Sequence, residues 1–272
     1  MKVALAFFGQ PRGLTEKVII DQWRQIIEDS VHDIDVYAHF WDTVSNVRVS
    51  ETYEEFVKEE SIDSATHFTD FWNEIKPIHV EVQNAQVIDE LSYNYFFHNE
   101  HIYKRVDPSN PGTGRATLGQ WYSTEHVLNQ VIESGVEYDV VVRIRADIIF
   151  PDVYAEHRPF DYHVIEDFYN RKTSHRCIGS PNIRVIRGTP IVNDWFTTMK
   201  GDFVAEFNSN LTKNMAVQFN SIFSEPRDPV TIQENAFHRH LMKMHIDAIS
   251  TACESRIYRE TDDEWQWPNY SY

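Results

Sequence analysis

The stretch Tyr138–Asp152, YDVVVRIRADIIFPD, decides how the rest of the chain is read. Its first half, Tyr138-Asp-Val-Val-Val142, is a short β-branched run behind Gly135, the pattern of a strand buried on both faces in a parallel sheet. In its second half charge alternates with apolar residues. Arg143, Arg145 and Asp147 fall on one side of an extended chain, Ile144, Ala146 and Ile148 on the other. Arginine and aspartate are rarely buried without partners, so three on the exit of a core strand need a reason. Two reasons fit. Ligands of open α/β sheets bind beyond the carboxyl ends of the strands, and two arginines with one carboxylate suit an anionic ligand with a metal ion. The same groups could instead form an internal Arg–Asp ion pair closing the sheet edge, since charge clusters also occur structurally.

Upstream, Thr117–Ser134 predicts a helix that feeds this strand, with Leu118, Trp121, Tyr122, Leu128, Val131 and Ile132 as its apolar stripe. At the start of the chain, Lys2–Phe8 is a continuous apolar strand and Gly9-Gln-Pro-Arg-Gly13 is the turn after it. A helix with Leu14, Val18, Ile19, Trp23, Ile26 and Ile27 inward follows, so the opening is the first half of a nucleotide-binding βαβ unit. It lacks G-x-G-x-x-G, so the dinucleotide fingerprint is absent. Gly9 would let the backbone approach a ligand and Arg12 could face a phosphate; a tight turn is the other use of the same residues. Asp33–Phe40 predicts the second strand and places His39-Phe-Trp-Asp42 on the same edge as Gly9 and Asp147. His39 also suits a structural role and Trp41 a cover for the core. The stretch Glu51–Glu74 is acidic and helical in pattern, and Pro77–Val82 alternates as a third strand.

Downstream the pattern weakens. His163–Glu166 and Asn182–Ile186 suggest an antiparallel pair of strands, with the polar, basic stretch Asn170–Arg176 between them as a loop at the site or a solvated turn. Pro190 predicts the start of a helix reaching about Phe207, and Thr231–Leu241 a further helix with Ile232, Phe237 and Leu241 inward. Glu234 and His238 share a face of that helix. The turn-rich segment Asp107–Gly114 has the composition of a lid.

Composition bounds the reading. A chain of 272 residues with 42% apolar side chains supports one large α/β domain, here residues 1–260, with the acidic, aromatic stretch 261–272 as a tail. In that tail Trp265 and Trp267 either dock on the domain or stack on a sugar ring. A net charge of −17 argues against nucleic-acid or anionic-membrane partners, so any anionic ligand must be met locally by arginines or a metal. Cys177 and Cys253 have no metal-ligand spacing and suit a reducing compartment. The run Val3–Phe8 is too short for a signal peptide and no stretch is long enough to span a bilayer, which together suggest a cytoplasmic protein.

Several of these segments carry a resemblance. Strand-G-Q-x-R at Phe8–Arg12, a strand ending in His39-Phe-Trp41, Gln120-Trp-Tyr-Ser123 on a helix and Y-D-V-V-V-R-I-R-A-D resemble a loose group of glycosyltransferases with the GT-A fold, found in bacteria and large viruses. The match runs in order over roughly the first 150 residues, with the element spacing of βαβ repeats. The resemblance implies a Rossmann-like, mostly parallel sheet flanked by helices. It implies sugar transfer from a nucleotide-diphosphate donor to a glycan or other hydroxyl acceptor. The donor-binding residues would be Phe8, Gly9, Gln10, Arg12, His39, Trp41, Gln120, Arg143, Arg145 and Asp147. In such enzymes a D-x-D triplet ends the central strand and holds Mn²⁺ or Mg²⁺. Here the triplet is Arg145-Ala146-Asp147, with arginine in place of the first carboxylate. Asp147 with phosphate oxygens and water could hold the metal, or Arg143 and Arg145 could neutralise the leaving diphosphate directly. An inverting transfer would also need a carboxylate base: Glu234, or in its place Asp194 or Asp152. Two other readings use the same residues. A sugar nucleotidyltransferase would need a more basic, glycine-rich loop than Gly9–Gly13, and a carbohydrate-binding module would leave Arg-x-Arg-x-Asp without a purpose.

Overall fold

The run Val140–Arg145 is the central strand, and the structure, a computed structural model, builds the domain around it. The residues described are 1–46, 58–96, 113–150, 160–181, 183–186, 189–192, 194–223, 232–251 and 256–257. The main sheet has seven strands: β1 (Lys2–Gly9), β2 (Asp33–Trp41), β3 (His79–Gln83), β4 (Val140–Arg145), β5 (Cys177–Pro181), β6 (Phe196–Lys200) and β7 (Asp247–Thr251). Their spatial order is β7-β5-β6-β4-β1-β2-β3. β1 pairs in parallel with β2 and with β4, β2 with β3, and β5 with β7. Only β6 runs against its neighbours. The protein is thus a single α/β domain with a mostly parallel sheet flanked by helices.

The helices that matter for the site are α1 (Lys17–Asp29), α2 (Gln86–Phe96), α3 (Thr113–Glu133), α4 (Leu211–Phe223) and α5 (Ile232–Lys243). The continuous apolar run of β1 is explained by burial on both faces. Val3, Leu5 and Phe7 pack with Ile19, Trp23 and Ile26 of α1, while Ala4, Ala6 and Phe8 pack with Leu118, Trp121 and Leu128 of α3. Helix α1 also holds the exit of β4. Gln22 donates to the Ile148 carbonyl at 2.9 Å and accepts from the Phe150 amide at 2.8 Å, and the Trp23 indole donates to the Ala146 carbonyl at 3.0 Å. These bonds satisfy backbone groups that the β4 ladder no longer pairs, and they fix the path of residues 146–150. A close backbone approach explains Gly201: a Cβ there would lie 1.8 Å from the Tyr138 carbonyl oxygen.

Four expectations are corrected. The segment 190–207 is not one helix, because Phe196–Lys200 is an interior strand with Phe196, Thr197, Thr198 and Met199 all fully buried. Two adjacent β-branched threonines on both faces of a core strand leave no period-2 signal for the sequence to show. His163–Glu166 belongs to a π-helical turn, Phe160–Glu166, that buries Phe160, Val164 and Ile165. Arg184–Ile186 pairs instead with Thr189–Ile191. Within 51–74 the sequence Lys58–Ser61 is a strand against Thr43–Asn46. The helical stripes also rotate slightly: Val18 and Ile132 are exposed, while Ile20 and Val127 are buried. Asp152, the 107–112 part of the turn-rich segment and the 261–272 tail lie outside the described residues. Among those described, no helix is long and apolar enough to cross a membrane.

Candidate functional site

At the carboxyl end of β4 two arginines and two aspartates form a buried, charge-balanced group. Arg143 has no exposed surface. Its guanidinium carbon lies 4.0 Å from the Phe8 ring centre and 4.6 Å from that of Trp121, so the cation is sandwiched between two aromatic faces. Nε donates to Thr124 Oγ1 at 3.0 Å and Nη2 to the Asp194 carbonyl at 2.7 Å, while Nη1 has no hydrogen-bond partner among the described residues. Burial pushes the Arg143 pKa down to about 9 although the charge of Asp194 opposes it. The Asp194 carboxyl is pushed up by its own burial, against the pull of Arg143. Gln120 holds it, donating from Nε2 to both Asp194 Oδ2 and the Asp194 carbonyl at 2.9 Å.

The second pair is Arg145 and Asp147. Arg145 Nε donates to Asp147 Oδ1 at 2.9 Å and Nη2 to Oδ2 at 2.5 Å, a two-pronged pairing of both carboxylate oxygens. The Asp147 side chain is 1% exposed and the Arg145 side chain 21%, so Arg145 is the more exposed member of the pair. Burial disfavours that charge, but Asp147 outweighs it and the Arg145 pKa is raised. The turn after β1 closes over the pair. A Cβ on Gly13 would lie 3.7 Å from Asp147 Cβ, and Gly13 itself needs its positive φ of 74°. Gly9, across from Phe40 and next to the Phe8–Arg145 pair in register, also has a positive φ, 98°, and apart from its chain neighbours no described residue lies within 4 Å of where a side chain would begin. That is the open space at the strand ends.

The metal expectation can be tested on these residues. A cation at Asp147 needs a free anionic oxygen, and both are taken by a guanidinium. Asp194 is enclosed with Gln120 and Arg143. The residues at the Arg145-Ala146-Asp147 triplet therefore do not fit a divalent ion: a fixed positive charge stands where one would bind. Arg145 and Asp147 form the Arg–Asp ion pair that was the alternative reading of this strand end.

Beside the open space, Ser123 of α3 ties three elements together. Its hydroxyl accepts from the Gly9 amide at 2.7 Å, donates to the His39 carbonyl at 2.8 Å and lies 2.9 Å from His39 Nδ1. His39 is fully buried, and burial pushes its pKa down to about 4. Its Nε2 is 2.9 Å from Gln83 Oε1. Glu81 lies opposite His39 in the β2–β3 register, and His126 Nδ1 of α3 lies 3.5 Å from Glu81 Oε2. The ligand atoms of His39, Glu81 and His126 all lie within 4.8 Å of one another.

The sequence-derived residues are brought together unevenly. Phe8, Gly9, Gln120, Arg143, Arg145, Asp147 and Asp194 share one network, with Gln10 and Arg12 half-buried in the turn next to it. Phe8 and Arg143 form its floor and have essentially no free surface. His39 and Trp41 are buried beside α3, where Trp41 stacks on Tyr122 at 5.7 Å. Glu234 lies in the first turn of α5, and its side chain is outside the described residues, as is Asp152. Sequence reasoning missed Ser123, Thr124, Glu81 and His126. Their signal is weak, because each needs the β2–β3 register or the rotation of α3 to become visible.

No known protein-family profile matches the chain, and no curated protein matches it. Among solved structures it is similar to mouse xyloside xylosyltransferase 1 in its apo form. The identity is 9%, over 92% of this chain and 85% of that one, with a TM-score of 0.42.

Proposed function

We propose that the domain is a glycosyltransferase that takes a sugar from a nucleotide-diphosphate donor at the carboxyl edge of β1, β2 and β4. The observation that carries this reading is the Arg145–Asp147 pair: a carboxylate-anchored arginine whose side chain is partly exposed, beside Gly9, where no described residue comes within 4 Å of a Cβ position. In a chain of net charge −17, an anionic ligand is met favourably only where such a cation is presented. Asp147 holds Arg145 in one rotamer, so little ordering remains to be done when phosphate oxygens arrive.

The chemistry then follows from charge. The bond from the anomeric carbon to the diphosphate oxygen breaks, and its electron pair leaves with the diphosphate. Arg145 faces that growing charge. The acceptor hydroxyl forms the new bond to the anomeric carbon and gives up its proton; in an inverting transfer Glu234 is the base we assign, because Asp194 is enclosed and held by Gln120. Gly9, Gln10 and Arg12 line the donor's approach. Phe8, Trp41, His39, Gln120 and Arg143 act one layer below, keeping the strand ends and Asp194 in place.

A panel of nucleotide sugars tests this by release of nucleoside diphosphate, with and without hydroxyl acceptors. Arg145→Ala leaves the buried Asp147 carboxylate without its ion-pair partner and is expected to melt lower; assayed below its melting temperature, it should lose about 10²–10³ in turnover, the size of one lost oxyanion-type donor. Undiminished turnover in that variant, or a wild-type protein that cleaves no donor in the panel, would refute the reading.

A further inference from the structure

The group His39, Glu81 and His126 lies outside the proposed donor site, between α3 and the β2–β3 edge, and nothing in the transfer chemistry uses it. We propose that His39 Nε2, His126 Nδ1 and a Glu81 carboxylate oxygen bind one divalent transition-metal ion of the zinc class. Two imidazoles and one carboxylate are a ligand set for such ions, with a further position left for water.

The Ser123 oxygen accepts from the Gly9 amide, and its one hydroxyl hydrogen can reach either the His39 carbonyl or His39 Nδ1. When it goes to the carbonyl, His39 Nδ1 donates to the Ser123 oxygen and the ring's lone pair lies on Nε2, the tautomer a metal would select. Gln83 borders the site: its Oε1 lies 2.9 Å from His39 Nε2 and its amide nitrogen donates to Tyr122 OH at 3.1 Å. A metal-bound histidine donating its other ring N–H to a fixed oxygen is also how ligating imidazoles are held.

The geometry is near closure. Zinc–nitrogen bonds of about 2.1 Å put tetrahedral ligand atoms about 3.4 Å apart. His126 Nδ1 and Glu81 Oε2 are already 3.5 Å apart, and no pair of ligand atoms exceeds 4.8 Å. His126 is 31% and Glu81 39% exposed, so both side chains can swing the remaining distance while His39 stays fixed. Tyr122, its ring 4.1 Å from that of His126, covers one flank. The ion would pin α3 to β2 and β3, and through Ser123 it would hold the Gly9 amide.

Chelator-stripped protein titrated with Co²⁺, followed by visible absorption, and with Zn²⁺, followed by calorimetry, tests the site without any nucleotide, so its outcome is separate from that of the donor reading. One equivalent is expected to bind, with a rise in melting temperature. His126→Ala and Glu81→Gln, both at partly exposed positions, should fold and bind at least about tenfold more weakly, since losing a ligand costs no less than losing a group behind one. Absence of stoichiometric binding to wild-type protein, or equal affinity in both variants, as adventitious surface histidines would give, overturns the proposal.

Discussion

Arg143→Ala is expected to destabilise the domain by about 3–5 kcal/mol, the loss from truncating a large, fully buried side chain and stranding the polar groups it bonds. The substitution empties the space between the Phe8 and Trp121 rings, removes the Arg143 donor to Thr124 Oγ1 and leaves the Asp194 carbonyl with Gln120 as its remaining donor. It also strips the enclosed Asp194 carboxyl of the one cation that lowers its cost of ionisation most. For a domain of this size the loss corresponds to a fall in melting temperature of roughly 10 °C. Arg143→Met keeps most of the volume between the rings and should lose clearly less. Thermal melts of the two variants decide this: an alanine variant that melts within a couple of degrees of wild type would show that the buried guanidinium holds nothing together.

The domain is also expected to lose stability steeply on acidification between about pH 6.5 and 4. Burial pushes both His39 and His240 down to about 4, with Lys243 adding to the effect at His240. In the unfolded chain each takes up a proton near pH 6.5. Between these values the unfolded state binds more protons than the native one. Stability is therefore fully present above about pH 6.5 and drains away as the pH falls toward 4. At about 1.4 kcal/mol per pH unit, each histidine accounts for up to about 3 kcal/mol. His240 gives the cleaner test, since neither of its ring nitrogens has a hydrogen-bond partner among the described residues and it is 1% exposed. His240→Phe keeps a ring of similar size without a titrating group, so its melting temperature should depend much less on pH across this window. Identical slopes for wild type and variant would contradict the assignment.

The parallel half of the sheet was legible where its strands are buried on both faces: β1 shows this as an unbroken apolar run and β4 as the β-branched run Val140–Val142. β6 was not, since Phe196–Lys200 borrows its burial from β4 and β5 on either side rather than from its own alternation. The same limit applies at the site. The spacing of Arg143, Arg145 and Asp147 says that they share a side; it does not say that Phe8 and Trp121 fill that side at Arg143. Only the pairing of β1 with β4 and the rotation of α3 bring those rings over the guanidinium. Arg145 and Asp147 are two residues apart, so their pairing was within reach of local reasoning. His39, Glu81 and His126 come from three elements, and their meeting depends on the register that sets Glu81 opposite His39.

Calorimetric titration with a panel of nucleoside diphosphates, comparing wild type with Arg145→Met, bears most directly on the proposed donor site. At least one diphosphate should bind the wild-type protein, and the corresponding monophosphate should bind more weakly. The variant should still melt cooperatively, at a lower temperature because Asp147 loses its partner, and below that temperature bind that diphosphate about 10- to 100-fold less tightly, the equivalent of one lost charge-assisted hydrogen bond of roughly 1.5–3 kcal/mol. Failure of every diphosphate to bind, or binding that Arg145→Met leaves unchanged, would mean that the strand-end arginine serves only Asp147 and that the donor site lies elsewhere or does not exist.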